Sequence, residues 1–369
     1  MRKATTQIMC ALALIGGTFV ARTVQAEDKA FHIEETAVTD AKDGVCNLHT
    51  TDHVNAPDHG TVLWFAEANA NRLGRLDLKS GKVTKIDLPK VTPPGYVGRS
   101  MTFVDQDDST QGVCDLLVHD GTLWFNYQAA NSIGYMETKP PYTIKLLEMP
   151  TPKSLPMAFQ LGADGNLYVE LTAVDKIAKV DPKTHKITEY AVPEKGSGIV
   201  GGAGSKKDNA HWFILMNTGK LLRFDYATAK MELFPIPTPK AAPFVIRSYD
   251  DGLWFTMFGA SAIGHFDPAT KTFSTIAMPV PNSAPIGIVM GKDGYLYSDL
   301  AAADKIVRID RSTRTVVGEY PYPTQKSFAD EIKQGPDGAI WSPEMMSGKI
   351  ARLWLPSFGK DPGFPQEKH

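Results

Sequence analysis

An aromatic strand returns seven times along this chain at nearly constant spacing, and that alone removes most folds from consideration. It opens at Leu63-Trp64-Phe65. Degraded copies begin at Leu123-Trp124-Phe125, Leu167-Tyr168-Val169, His211-Trp212-Phe213, Leu253-Trp254-Phe255, Leu296-Tyr297-Ser298 and Ile340-Trp341-Ser342. From Trp124 onward the anchors are spaced by 44, 44, 42, 43 and 44 residues, a period that belongs to propellers and solenoids. The first step, Trp64 to Trp124, is longer.

Each unit has the same grammar. A short apolar strand such as Pro285-Ile286-Gly287-Ile288-Val289 meets a turn, and the aromatic strand follows. The turns carry Asp120-Gly121, Asp164-Gly165, Asp251-Gly252, Asp293-Gly294 and Asp337-Gly338, a pair suited to tight hairpins because both residues accept positive φ. A third strand of the type Lys305-Ile306-Val307-Arg308-Ile309 and a fourth of the type Thr315-Val316-Val317 complete the unit. Prolines at 150, 152, 237, 239, 279 and 281 follow the fourth strand, where they suit a crossing better than a ladder. The last unit stops after Lys349 to Trp354, one strand short, while Phe31 to Val38 alternates like a fourth strand. Together these features predict an all-β, seven-bladed β-propeller with four antiparallel strands per blade, its ring closed by the N-terminal strand.

A net charge of −2 with no basic block disfavours nucleic acid or an anionic membrane as partner. A small-molecule ligand and a monomeric chain are the expectation. Arg2 and Lys3 precede an apolar run from Ile8 to Ala21, and Val24-Gln25-Ala26 offers a small-x-small cleavage pattern. Residues 1–26 therefore read as a signal peptide, leaving residues 27–369 as one secreted or periplasmic domain with no membrane attachment. In that compartment disulfides persist. Cys46 and Cys114 lie in matched contexts, Gly44-Val45-Cys46-Asn47-Leu48 and Gly112-Val113-Cys114-Asp115-Leu116. They are expected either to bridge the inner strands of the first two blades or to stay as buried thiols, the matched contexts favouring the bridge.

The pattern Trp64-Phe65-Ala66-Glu67 with Asn71-Arg72-Leu73-Gly74-Arg75 resembles the streptogramin lyase family over nearly the whole mature chain. The resemblance implies a seven-bladed propeller that opens a cyclic depsipeptide ester by elimination, using magnesium and a histidine from a Pro-His-x-Ile inner strand. Here the inner strands read Pro156-Met157-Ala158-Phe159, Pro243-Phe244-Val245-Ile246, Pro285-Ile286-Gly287-Ile288 and Phe328-Ala329-Asp330-Glu331-Ile332, without histidine. Asp330 and Ile286 take the two places where the family pattern has one.

Acids persist instead. Taking the residue about three past each anchor gives Glu67, Tyr127, Glu170, Leu215, Met257, Asp299 and Glu344, so four repeats place a carboxylate at what reads as one equivalent site at the channel mouth. Converging carboxylates need a shared cation or proton, and oxygen ligands suit magnesium or calcium. Glu344, Glu67 and Glu170 are thus the candidate metal-side acids, and Asp330 and Glu331 the candidate catalytic residues, one of them as the base. Arg99, Arg247 and Tyr127 are the candidate substrate-binding residues. Two longer segments, residues 40–61 with His49, His53 and His59 and residues 93–115 with Asp105, Asp107 and Asp108, read as loops on the approach to the first two blades. His119, His185, His211 and His265 read as turn or strand-edge residues. The leading expectation is metal-assisted elimination or ring opening of a small cyclic ester or lactone. A calcium-dependent lactonase or esterase of the gluconolactonase-like kind and a non-catalytic binding or scaffold propeller stand beside it.

Overall fold

The computed structural model describes residues 30–50, 61–91, 112–361 and 363. The leader, His53, His59, Arg99, Asp105, Asp107 and Asp108 lie outside them. Numbered in chain order, the strands form seven four-stranded antiparallel sheets. Six sheets are built from consecutive strands spanning residues 45–87, 116–148, 156–191, 199–235, 243–277 and 285–321, blades 1 to 6. The seventh combines β26 (Lys333–Gln334), β27 (Ile340–Glu344) and β28 (Lys349–Trp354) with β1 (His32–Ala37), which pairs antiparallel to β28 from His32 opposite Trp354 to Ala37 opposite Lys349. The N-terminal strand thus completes the last blade and the ring closes. Neighbouring blades touch through their first strands, β2 (Val45–Thr50), β6 (Leu116–His119), β10 (Pro156–Leu161), β14 (Ile199–Ser205), β18 (Pro243–Tyr249) and β22 (Pro285–Met290).

The repeat grammar has a packing cause. Every anchor, from Trp64 to Trp341, is at most 1% exposed. In four blades its polar edge is satisfied by the aspartate of the Asp-Gly turn. Tyr168 and Tyr297 donate to Asp164 and Asp293 at 2.9 and 2.8 Å, and Trp254 and Trp341 donate to Asp251 and Asp337 at 3.1 and 2.9 Å. Those aspartates therefore shape the turn and pair an otherwise buried donor. The glycine of the third strand is set by the phenylalanine beside the anchor. Gly74, Gly134 and Gly264 lie across the ladder from Phe65, Phe125 and Phe255, and a Cβ on any of them would overlap the ring.

The equivalence of the four carboxylates does not hold. Glu67 and Glu344 stand three residues after their anchors, but Glu170 and Asp299 stand only two after Tyr168 and Tyr297. With a period of two, the pairs face opposite sides of their blades. His49 also differs from expectation: it belongs to β2, opposite Trp64, and its Nδ1 accepts from the Val118 backbone N–H at 3.1 Å.

Candidate functional site

The first strands slip in register against their second strands between Cys46 and Leu48, Pro156 and Phe159, Val200 and Gly202, Pro243 and Ile246, and Pro285 and Ile288. Such bulges re-aim side chains. In blade 7 the interruption is larger: β26 has two residues, a single bridge joins Ala329 to Glu344, and Glu331 takes a φ of 36°. The left-handed turn delivers two adjacent carboxylates, Asp330 and Glu331, to one place.

Glu331 is the hub. It pairs with Arg247, receives Lys333 Nζ at 2.5 Å, and accepts from Asn47 Nδ2 at 2.6 Å. The same Asn47 nitrogen donates to Asp115 Oδ1 at 2.6 Å, and the Phe159 backbone N–H reaches Asp115 Oδ2 at 2.8 Å. Asn126 holds this stretch from behind, its carbonyl oxygen accepting the N–H groups of Cys114 and Asp115 at 2.8 and 2.9 Å. Cys46 and Cys114 are joined as a disulfide with Cα atoms 5.1 Å apart, within the ordinary span. Asp330 Oδ2 lies 3.3 Å from Cys46 Sγ and 3.8 Å from Cys114 Sγ. Blades 1, 2, 3, 5 and 7 all contribute.

Three acids and two cations share this space, and they do not titrate alike. Burial, with the charge of Glu331 adding to it, pushes both Asp330 and Asp115 up to about 7. Burial also acts to raise Glu331, but Lys333 and Arg247 outweigh it and hold that carboxylate at about 2. Near neutrality, then, Glu331 is a fixed anion while Asp330 and Asp115 exchange protons. Asp115 has both oxygens committed to donors. Asp330 is the less encumbered group.

Of the residues expected at the site, Asp330, Glu331, Arg247, Cys46 and Cys114 come together. Tyr127 does not join them: it is buried, donates its hydroxyl to the Pro89 carbonyl, and is pushed up to about 12 by burial. Glu67 is bound by Arg72 Nε at 2.6 Å and Lys85 Nζ at 3.3 Å. Glu344 accepts from Ser347 Oγ at 2.7 Å and is pushed up to about 8 by burial, with Glu35 beside it contributing. Glu170 faces the opposite side of its own blade. The trio Glu344, Glu67 and Glu170 therefore does not form the oxygen cage magnesium or calcium takes. Among the described residues the one group of three His, Cys, Asp or Glu ligand atoms within 4.8 Å of one another is Cys46, Cys114 and Asp330, and its sulfurs are bonded to each other.

Sequence reasoning passed over Asn47, Asp115 and Lys333. The signal for the first two was present, since both follow the matched cysteines at the same step. His211 was also misplaced: it is fully buried, within a strand running from Ala210 to Leu215, not at an edge.

Residues 97–300 match the virginiamycin B lyase family. No curated protein sequence matches the chain. Among solved structures, selenomethionine-substituted virginiamycin B lyase from Staphylococcus aureus is 27% identical with a TM-score of 0.74, covering 88% of this chain and 99% of that one. A streptogramin B lyase is 28% identical, covering 89% and 99%, with a TM-score of 0.74. A catalytically inactive histidine-to-alanine variant of the S. aureus virginiamycin B lyase with quinupristin is 26% identical, covering 88% and 99%, also at 0.74.

Proposed function

The chain belongs to the virginiamycin B lyase family, and from that premise we propose that it opens a small cyclic ester, a depsipeptide or a lactone, with Asp330 as the base. The observation that carries this reading is Asp330 itself, a buried carboxylate pushed up to about 7 on the broken inner strand of the last blade. A base poised near the working pH is what proton removal beside a carbonyl requires. In the proposed step Asp330 takes the proton from the carbon next to the ester-bearing carbon, that electron pair becomes the new double bond, and the C–O bond breaks to release a carboxylate. Arg247 and Lys333, held by Glu331 and partly exposed, are the groups to receive the carbonyl oxygen as charge develops on it. The expected acid trio does not fit a divalent ion, so no part of this step is given to one. The charged leader with its apolar run supports placing the activity outside the cytoplasm, on a monomer that meets a small molecule.

Hydrolysis is the second reading, favoured by the same carboxylate, which can activate water as readily as it removes a carbon-bound proton. The two are separated by product mass. The purified chain is incubated with cyclic depsipeptides and lactones, with and without magnesium or calcium. Elimination gives a linear product of unchanged mass and hydrolysis adds one water. Asp330→Asn is expected to lose turnover by about a hundredfold or more. A panel left intact by the wild-type protein under all these conditions removes the enzymatic reading and leaves a binding propeller.

A further inference from the structure

In two blades the residue two past the anchor ties its own blade to the next. Asn126 of blade 2 accepts the Cys114 and Asp115 N–H groups at 2.8 and 2.9 Å, and its Nδ2 donates to the Met157 carbonyl of blade 3 at 2.6 Å. Thr256 of blade 5 accepts the Val245 N–H at 3.0 Å on the same oxygen that donates to the Ile286 carbonyl of blade 6 at 2.9 Å. Both side chains accept within the blade and donate across the boundary.

Asp299 holds that position in blade 6 and is fully buried. Its Oδ1 accepts the Gly287 N–H at 2.7 Å, as Thr256 accepts Val245, while its Oδ2 is buried without a hydrogen-bond partner. The register identifies what the next blade offers. Ala329 bridges to Glu344 as Pro156 pairs with Leu171 and Pro285 with Leu300, so Asp330 takes in blade 7 the place of Met157 and Ile286 in blades 3 and 6. The carbonyl equivalent to the two that are tied is therefore that of Asp330. The blades approach closely here: a Cβ on Gly287 would stand 2.6 Å from Asp299 Oδ1, 2.4 Å from the Ile332 nitrogen and 2.7 Å from Glu331 Cα. An ionised carboxylate only accepts, whereas a neutral carboxyl group accepts on one oxygen and donates from the other, as Asn126 and Thr256 do.

We propose that Asp299 is a positioning residue for Asp330, a neutral carboxyl group that donates to the Asp330 backbone carbonyl and so holds the turn at Glu331 against blade 6. The effect on turnover rests on Asp330 being the base; the hydrogen bond itself does not. Burial, with the charge of Asp330 adding to it, pushes Asp299 well above the ordinary carboxylate range, and the N–H groups of Gly287 and Ile332 act the other way. Tyr322, whose hydroxyl donates to Ser342 Oγ at 2.8 Å, also faces it. Because an ionised Asp330 raises Asp299 further, Asp299 keeps its proton when Asp330 has lost its own. The base is then free while its backbone stays tied.

The chain, isotope-labelled in its aspartate carboxyls, is followed by NMR across neutral and alkaline pH. The resonance missing from Asp299→Asn belongs to Asp299 and is expected to report a neutral carboxyl group at neutral pH. Asp299→Asn supplies an N–H in place of the O–H. It is expected to keep kcat close to that of the wild type, and to hold it at alkaline pH, where the wild-type rate falls away beyond its plateau as Asp299 ionises. Asp299→Ala is expected to lower kcat about tenfold or more with KM little changed. Far-UV spectra check that the variants fold, and if Asp299→Ala does not, Asp299→Asn and the resonance decide. An ionised Asp299 at neutral pH, or a folded Asp299→Asn that loses turnover, overturns the proposal. If the wild type opens no cyclic ester, the reading of Asp330 as base fails separately, and the carboxyl resonance still decides the hydrogen bond.

Discussion

Glu331 adds its charge to burial in setting the chemistry of its neighbours. Because it adds to the elevation of Asp330 and Asp115, Glu331→Gln should lower the titration midpoint of Asp330, read as a shift of the pH–rate profile toward acid. An unmoved profile would show that burial alone sets the midpoint. At this scale the sequence was only partly legible. Asp330 and Glu331 were visible because they break an apolar inner-strand pattern. The acids after the anchors were visible too, but Glu170 and Asp299 stand two residues past Tyr168 and Tyr297 where Glu67 and Glu344 stand three past Trp64 and Trp341, and that single step turns them to the other face. His211 could not be read as buried from its neighbours, since burial is decided by Tyr168 on another blade.

Strands and turns were far more legible, because each rests on local chemistry. The Asp-Gly turns need positive φ, and both Asp120 and Gly121 show it, at 48° and 74°. The closing strand was legible from what the last unit lacked. Two expectations belong to elements. Removing residues 30–38 takes β1 from β28 and separates Glu35 from its partners Thr324 and Lys349, the latter at 2.9 Å. It should lower the melting temperature of the whole ring, and a deletion variant melting with the parent would contradict the closure. Reducing Cys46–Cys114, which spans a separation of 68 residues, should cost about 2–4 kcal/mol by denaturant titration. Cys46→Ser with Cys114→Ser should reproduce that loss. The irregular inner strand of blade 7 was not legible, since nothing in Phe328 to Ile332 announces that Glu331 adopts a left-handed backbone.

At the scale of the molecule, five buried carboxylates among the described residues have raised pKa values: Asp115 and Asp330 to about 7, Glu344 to about 8, and Glu170 and Asp299 well above the ordinary range. Burial is the first cause in each. A group whose folded pKa is raised stabilises the fold below its unfolded value, and that contribution is lost as pH climbs through the folded value. His211, held down to about 3 by burial, works in the opposite direction only below about pH 6.5. The melting temperature should therefore fall between about pH 6.5 and 8.5, and a rise across that window would contradict the assignment. The pH dependence of kcat/KM for opening a cyclic ester tests the central claim most directly. A base titrating at Asp330 predicts a rate that climbs with pH to a plateau through a midpoint of about 7, with the plateau lost in Asp330→Asn. A flat profile across neutrality, or an Asp330→Asn protein as active as the wild type, would contradict it.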